Sequence, residues 1–166
     1  MIEVAVEAGP VWPNDDWQRL ATGAVTAVLA QSGFGGLARA ASIFEVAIRL
    51  TSDDEVHALN HGYRKKNAPT NVLSFPMYAP DEIADLAQSP LPEILLGDIV
   101  LAHGVCAREA AEKGVPLADH AAHLIVHGML HLLGYDHADD EAANDMECRE
   151  RRAMALLGLH DPYADD

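Results

Sequence analysis

The sequence has few cysteines and no long apolar run, and each shortage excludes a class of protein. Cys106 and Cys148 are too few for a disulfide framework and lack CxxC spacing, so we expect two thiols in a reducing cytosol. No stretch approaches the ~20 consecutive apolar residues that a membrane-spanning helix needs. The first residues, Met1 to Val4, have no basic stretch followed by an apolar block, unlike a secretory signal. The composition therefore predicts a cytoplasmic protein without membrane contact.

Basic residues are also scarce: 11 lysines and arginines against 26 acidic residues give a formal net charge of −15. This balance argues against broad electrostatic capture of nucleic acid, which usually needs a basic face. The charges are unevenly placed, however, since Arg64, Lys65 and Lys66 form a tight basic cluster. A site depends on its local field, so the net charge lowers the expectation of a nucleic-acid substrate without excluding it. A second group, Arg149 to Arg152, is interpreted as a solvated helix face.

Hydrophobic periodicity predicts strands mainly in the first two-thirds of the chain and helices in the last third. This order indicates an α+β or mixed α/β protein. No repeat or linker divides the 166 residues, so we expect one domain spanning residues 1–166. Residues 77–93, which contain three prolines, are predicted to form a mobile loop. Predicted strands lie near residues 2–6, 44–50, 72–75 and 94–101, and predicted helices near 17–32, 53–63, 103–113, 117–133 and 139–157.

The segment from His127 to His137 has the spacing of metal ligands. His127 and His131 are four residues apart, so on a helix both rings project from one face. Gly134 can adopt the left-handed conformation that ends a helix, which allows His137 to return to the same ion. Three neutral imidazoles leave a fourth position open for water, as in catalytic rather than structural zinc sites. The sequence therefore predicts one zinc ion per chain, although other divalent transition metals such as nickel or copper also accept imidazole.

Three nearby residues refine this prediction. His120 and His123 lie on the same helical stripe as the ligand pair, and we interpret them as pocket wall or support for the ligands rather than as ligands. Gly128 occupies the place where zinc peptidases with an HExxH motif carry a glutamate as general base. A peptidase mechanism would therefore lack its usual proton acceptor.

These motifs resemble those of the YbeY family of bacterial endoribonucleases. The string HGMLHLLGYDH is the most specific of them, and two further blocks, residues 59–76 and 96–101, agree with the family in the same order. The resemblance extends over roughly residues 43–158. Lys65 and Asn67 depart from the family, which commonly has glycine and aspartate there. Both departures fall in one loop, so they concern loop conformation and leave the metal motif intact.

The resemblance implies an α+β fold with a small mixed β-sheet, several helices and a zincin-like metal-binding helix-turn at one end. It also implies metal on His127, His131 and His137, and cleavage of single-stranded RNA. The biological setting it implies is 16S ribosomal RNA 3′ end processing and ribosome quality control, with the small ribosomal subunit or its assembly proteins as partners. Arg64 is implied as the catalytic basic residue opposite the metal. Lys65 and Lys66 would add phosphate contacts that bind the substrate strand.

Two other functions remain open on the sequence. One is a zinc hydrolase acting on another class of substrate, which the helix motif alone would allow. The other is a non-catalytic ribosome-assembly factor with a structural metal, which the acidic charge favours somewhat. For RNA cleavage, either a metal-activated water or the substrate's own 2′-hydroxyl could attack phosphorus, and the sequence does not choose between these nucleophiles.

Overall fold

The computed structural model of the chain describes residues 1–64 and 70–164, with the backbone alone at residues 63 and 64. Within this part the chain forms a mixed sheet and several helices, which confirms the predicted α+β class. No helix in the described part is long and apolar enough to cross a bilayer. In chain order the elements are β1 (Ile2–Ala8), α1 (Trp17–Ala30), a 3₁₀ helix (Gly35–Arg39), β2 (Ile43–Thr51), α2 (Asp53–Arg64), β3 (Val72–Pro76), α3 (Pro80–Leu86), β4 (Glu93–Ala102), α4 (His103–Lys113), α5 (Leu117–Leu132) and α6 (Asp140–Leu156).

The sheet has the strand order β1-β2-β4-β3. Strands β1, β2 and β4 are parallel, and β3 runs antiparallel to β4 at one edge. At the other edge, the Gln18 side chain covers β1, because its Nε2 donates to the Val4 carbonyl at 2.6 Å and its Oε1 accepts from Val6 N at 3.3 Å. These bonds occupy backbone groups that would otherwise be free to pair with another strand.

The two faces of the sheet pack against different helices. On β2, the alternating side chains of Phe44, Val46, Ile48 and Leu50 are buried in the main hydrophobic core, which also includes residues of α1, α5 and α6. The opposite face is covered in part by α2, through a small apolar cluster. This cluster consists of Val56, Leu73, Val100 and Ala102. The predicted strand alternation therefore separates one thick core from one thinly covered face.

Helix α5 is the most enclosed helix of the fold. It contacts α1, α4, α6, β3 and β4, and most of its 16 residues are buried. Its sequence is apolar on nearly every side, as expected of a helix inside a core. Only its first three residues and the two histidines His127 and His131 are half-buried, and the two histidines line a cleft. The packing therefore leaves the middle of α5 enclosed and exposes the two histidines near its carboxyl end.

The prediction of a mobile loop over residues 77–93 was wrong in its central part. Residues Pro80–Leu86 form α3, with Pro80 in the first helical turn, and the Glu82 carboxylate accepts a hydrogen bond from Ala79 N at 2.9 Å. Proline is favoured at the start of a helix because its missing N–H would have no partner there. The helix is anchored by Ile83, which is buried in the core. The proline that suggested a loop thus begins a helix.

Gly97 in β4 offers a test of how tightly α5 and β3 enclose the sheet. Its φ is +156°, and a Cβ there would lie 2.5 Å from the Phe75 carbonyl oxygen and 2.7 Å from Leu132 Cδ2. We expect Gly97→Ala to lower the free energy of unfolding by about 2 to 4 kcal/mol in urea titrations, from backbone strain and overpacking. The control is Gly23→Ala in α1, where the nearest atom is Leu157 Cδ2 at 3.5 Å. That variant should gain up to about 1 kcal/mol; equal losses in both would contradict this account.

Candidate metal centre

The three histidines of the sequence motif come together where α5 ends. His127 and His131 lie one turn apart on α5, which ends at Leu132. Gly134 follows with φ of +97°, and Tyr135 N donates to the Leu130 carbonyl at 3.1 Å, so the chain reverses. This reversal brings His137 back, and one ligand atom from each histidine lies within 4.8 Å of the others. The predicted left-handed turn at Gly134 is therefore present, and the group has the arrangement of a metal site.

Hydrogen bonds orient two of the three rings. His131 Nδ1 donates to the Tyr135 carbonyl at 2.9 Å, and His127 Nδ1 donates to Glu150 Oε1 at 3.0 Å. Because a carbonyl and an ionised carboxylate only accept, the proton of each neutral ring sits on Nδ1. The Nε2 atoms of His127 and His131 are then lone-pair donors, and they face each other at 3.1 Å.

That facing pair fits a cation. Two imidazole lone pairs repel each other at this distance unless a positive charge lies between them. Nitrogen ligands at about 2.0–2.1 Å from a tetrahedral zinc would be about 3.3 Å apart, close to the distance seen here. In addition, burial lowers the pKa of His131 to about 4, with further lowering from the charges of His127 and His137. His131 is therefore neutral at pH 7, the form that binds a metal ion.

Sequence reasoning missed Glu150, the carboxylate beside this group. Its side chain has no solvent exposure, and it accepts hydrogen bonds from His123 Nε2 at 2.9 Å, from His127 Nδ1 at 3.0 Å and from the Tyr163 hydroxyl at 2.8 Å. Burial favours a raised pKa for Glu150, yet the hydrogen bonds from His123 and His127 outweigh it, and the pKa falls to about 2. Glu150 is therefore an ionised group inside the protein.

The interpretation of Arg149 to Arg152 as a solvated face was wrong for half of that segment. Arg151 and Arg152 are exposed, but Glu150 is buried and Arg149 is half-buried, with its guanidinium 4.7 Å from the centre of the Tyr135 ring. A signal was present, since Glu150 lies four residues from both Met146 and Met154 and thus on their buried stripe. The surrounding charged residues obscured that stripe.

His120 and His123 lie outside the group of three. His120 Nε2 pairs with Glu109 Oε1 at 2.9 Å, and the same carboxylate accepts from Asn71 Nδ2 at 3.0 Å. His123 instead shares Glu150 with His127. The contact of His123 agrees with the prediction of a residue that supports the ligands, whereas the hydrogen bond of His120 goes to Glu109, away from the group of three.

Gly128 faces the sheet rather than the metal group. A Cβ on it would lie 2.9 Å from Ile99 Cγ2 and 3.0 Å from Ser74 Oγ. A glutamate at this position would therefore collide with β3 and β4 and could not serve as the general base of a peptidase. From the sequence, Gly128 was notable only because the glutamate of HExxH enzymes is missing there. The packing adds a steric reason for a glycine at this position.

The histidines open onto a cleft of about 450 Å³. Thr70, six residues after the end of α2, is part of its wall. Lys65, Lys66 and the side chain of Arg64 lie outside the described residues, so their predicted roles remain predictions. The cleft is lined by Thr70, Asn71, Val72, Ser74, Pro76, Tyr78, Pro80, His127, His131, Gly134, Tyr135 and Asp136.

A larger cavity, of about 610 Å³, lies on the other face of the sheet. Its wall includes Arg49, Asp98 and Phe75, whose side chains point away from α5. The described residues of this wall include no histidine or cysteine. The smaller cleft, which holds nitrogen ligands with fixed orientation, is therefore the candidate site.

Comparison with known proteins agrees with the architecture and the motifs. The model of the family described as Endoribonuclease YbeY matches residues 4–158. The chain belongs to the YbeY family. Two YbeY relatives, each named Endoribonuclease YbeY, come from Rhizorhabdus wittichii and Sphingopyxis alaskensis. The first is 61% identical over 165 residues, covering 99% of this chain and 98% of the relative, and the second is 55% identical over 166 residues, covering 99% of both.

A solved structure supports the fold alone. The solution structure of a Thermotoga maritima protein matches with a TM-score of 0.54 at 19% sequence identity, and the match covers 97% of this chain and 99% of that one. At such low identity the likeness extends to the arrangement of sheet and helices. The YbeY assignment therefore depends on the sequence matches, and the fold agrees with it.

The orientation of the histidines predicts metal content. We expect the native protein to contain close to one zinc ion per chain by mass spectrometry, and His131→Ala to lose it, because two remaining imidazoles bind zinc much more weakly. His120→Ala is the matched control, since His120 also lies on α5 but bonds Glu109 instead. Circular dichroism checks that both variants fold. Equal zinc content in His131→Ala and the native protein would contradict the site.

Proposed function

We propose that this protein is a zinc-dependent endoribonuclease that cuts single-stranded RNA during ribosomal RNA maturation, at the 3′ end of 16S rRNA, and in ribosome quality control. The observation that carries the proposal is the convergence of three histidine ligand atoms within 4.8 Å, beside a cleft, in a member of this family. A chain named for endoribonuclease activity at 61% identity supports the reaction class. We further propose the cytoplasm as its location, with the small ribosomal subunit or assembly proteins as partners.

His127, His131 and His137 would hold the ion. When bound, a divalent ion supplies Lewis acidity that offsets the negative charge developing on the phosphate oxygens. The protein contributes the orientation of the rings: the Tyr135 carbonyl and the Glu150 carboxylate occupy the Nδ1 atoms of His131 and His127 and direct both Nε2 atoms to one point. Since both hydrogen bonds form within the protein, the fold itself orients these two rings.

Arg64 is proposed as the basic group that acts with the ion. Phosphoryl transfer spreads negative charge over the equatorial oxygens, which a guanidinium stabilises by paired, charge-assisted hydrogen bonds. Arg64 is the last residue of α2, and Thr70, six residues later in the sequence, lies on the wall of the cleft. Lys65 and Lys66 are proposed to bind neighbouring phosphates. This local basic cluster is how a protein with a net charge of −15 could still bind an RNA strand.

The cleft wall suits unpaired bases. Tyr78 and Tyr135 both line it, and Pro80 adds a further apolar surface. Bases of a single strand can splay out and stack on aromatic side chains, whereas bases inside a duplex cannot reach them. We propose that these rings contribute to the preference for single-stranded RNA.

Removal of the guanidinium tests this mechanism. We expect Arg64→Ala to cut a labelled single-stranded RNA about 10²-fold or more slowly than the native protein, because the transition-state charge loses a donor. Zinc content should be unchanged. The matched control is Arg19→Ala, which removes an exposed arginine near the start of α1. The other end of this helix lies near the cleft, because the Gln31 carbonyl accepts a hydrogen bond from Arg149. Arg19 is about 18 Å from Gln31 along the helix and thus far from the site. The control should cleave at the native rate.

Other outcomes separate the alternatives. Zinc-loaded protein that leaves RNA intact but hydrolyses an unstructured protein would indicate a different class of hydrolase. Full retention of function in Arg64→Ala would favour an assembly factor with a structural metal. Product end-groups identify the nucleophile, since a 2′,3′-cyclic phosphate would exclude direct attack by water.

A further inference from the structure

Glu150 is a buried anion whose described partners include no lysine or arginine. It lies on α6 with 0% exposure, and its hydrogen-bond donors are two imidazoles and a phenol. A carboxylate removed from water is strongly unfavourable unless hydrogen bonds and a nearby positive charge compensate it. The hydrogen bonds are present, so the question is what supplies the charge.

The hydrogen bonds of Glu150 connect it to the metal group. Glu150 Oε1 accepts from both His123 Nε2 at 2.9 Å and His127 Nδ1 at 3.0 Å, while Oε2 accepts from the Tyr163 hydroxyl at 2.8 Å. The Tyr163 ring also packs edge-on against His123, with 5.7 Å between ring centres. The carboxylate is thus enclosed by α5 on one side and by the segment after α6 on the other. Through the His127 ring it lies one imidazole away from the ligand atom Nε2.

We propose that Glu150 is a positioning residue that holds His127 in its metal-binding tautomer and balances the charge of the ion, with Tyr163 holding the outer oxygen of the carboxylate. The inference rests on the proposed metal site. An anion bonded to the far nitrogen of a ligand imidazole increases the basicity of that ligand, and the ion in turn stabilises the buried anion. Binding of the metal therefore stabilises the folded state in which Glu150 is buried, and the buried Glu150 in turn strengthens metal binding.

Glutamine tests this coupling because it keeps the shape and removes the charge. A glutamine side chain has one acceptor oxygen and one NH₂ donor, so it cannot replace every bond that Glu150 accepts. If the NH₂ group faces His127 Nδ1, the ring proton must move to Nε2, which then cannot bind metal. We expect Glu150→Gln to bind zinc about 10- to 100-fold more weakly in competition with a chromophoric chelator.

The matched control is Glu109→Gln. Glu109 also bonds a histidine of α5, with 2.9 Å to His120 Nε2, but that histidine lies outside the group of three. The zinc affinity of Glu109→Gln should equal that of the native protein. Thermal unfolding with and without zinc gives a second readout: the rise in melting temperature on zinc binding should be smaller in Glu150→Gln than in Glu109→Gln. If Glu150 only joined α6 to α5, Glu150→Gln would lower the melting temperatures with and without zinc by the same amount.

The outcomes separate the two proposals. If the native protein binds no zinc, the metal site itself fails. If it binds zinc and folded Glu150→Gln binds it equally well, the positioning role is overturned. Should Glu150→Gln not fold, Tyr163→Phe decides, because it removes one hydrogen bond from the carboxylate and keeps the ring. A loss of zinc affinity of about two- to tenfold would support the proposal, and an unchanged affinity would overturn it.

Discussion

The burial of α5 is the constraint on which the rest of the structure depends. This helix contacts two strands and three other helices, so its polar groups must either find partners inside the protein or emerge near its ends. His120 and His123 pair with the carboxylates of Glu109 and Glu150, whereas His127 and His131 reach the cleft. The position of the candidate metal group is thus a consequence of packing. A helix apolar on one face only would have left several histidines open to solvent.

The same packing explains why a zincin-like motif occurs here without the chemistry of a peptidase. In HExxH enzymes the glutamate after the first histidine acts on the substrate. In this chain that position faces Ile99 and Ser74, and a side chain there would collide with them. The histidine spacing is shared because two imidazoles four residues apart suit one ion on any helix. The group around the histidines, rather than the motif itself, determines which reaction can follow.

Local charge and overall charge act in different ways in this protein. The chain as a whole carries −15, yet the metal group consists of imidazoles, with His131 kept neutral at pH 7 by burial. The one carboxylate bonded to a member of this group in the described structure, Glu150, is enclosed and directed by hydrogen bonds. Such an arrangement concentrates the electrostatics of the site in a few oriented groups, which a net charge does not reveal.

The sequence by itself determined those features of the fold and of the site that depend on residues close together in the chain. Strand alternation and the meeting of His127, His131 and His137 could be predicted from the sequence, because each depends on residues a few positions apart. The loop prediction at Pro80 was wrong because a proline is equally compatible with a loop and with the start of a helix, and the packing of Ile83 that favours the helix is not visible in the sequence. Only the tertiary structure decided that Glu150 lies beside His127, 23 positions away. No local pattern encodes that contact, because it arises from the packing of α6 against α5.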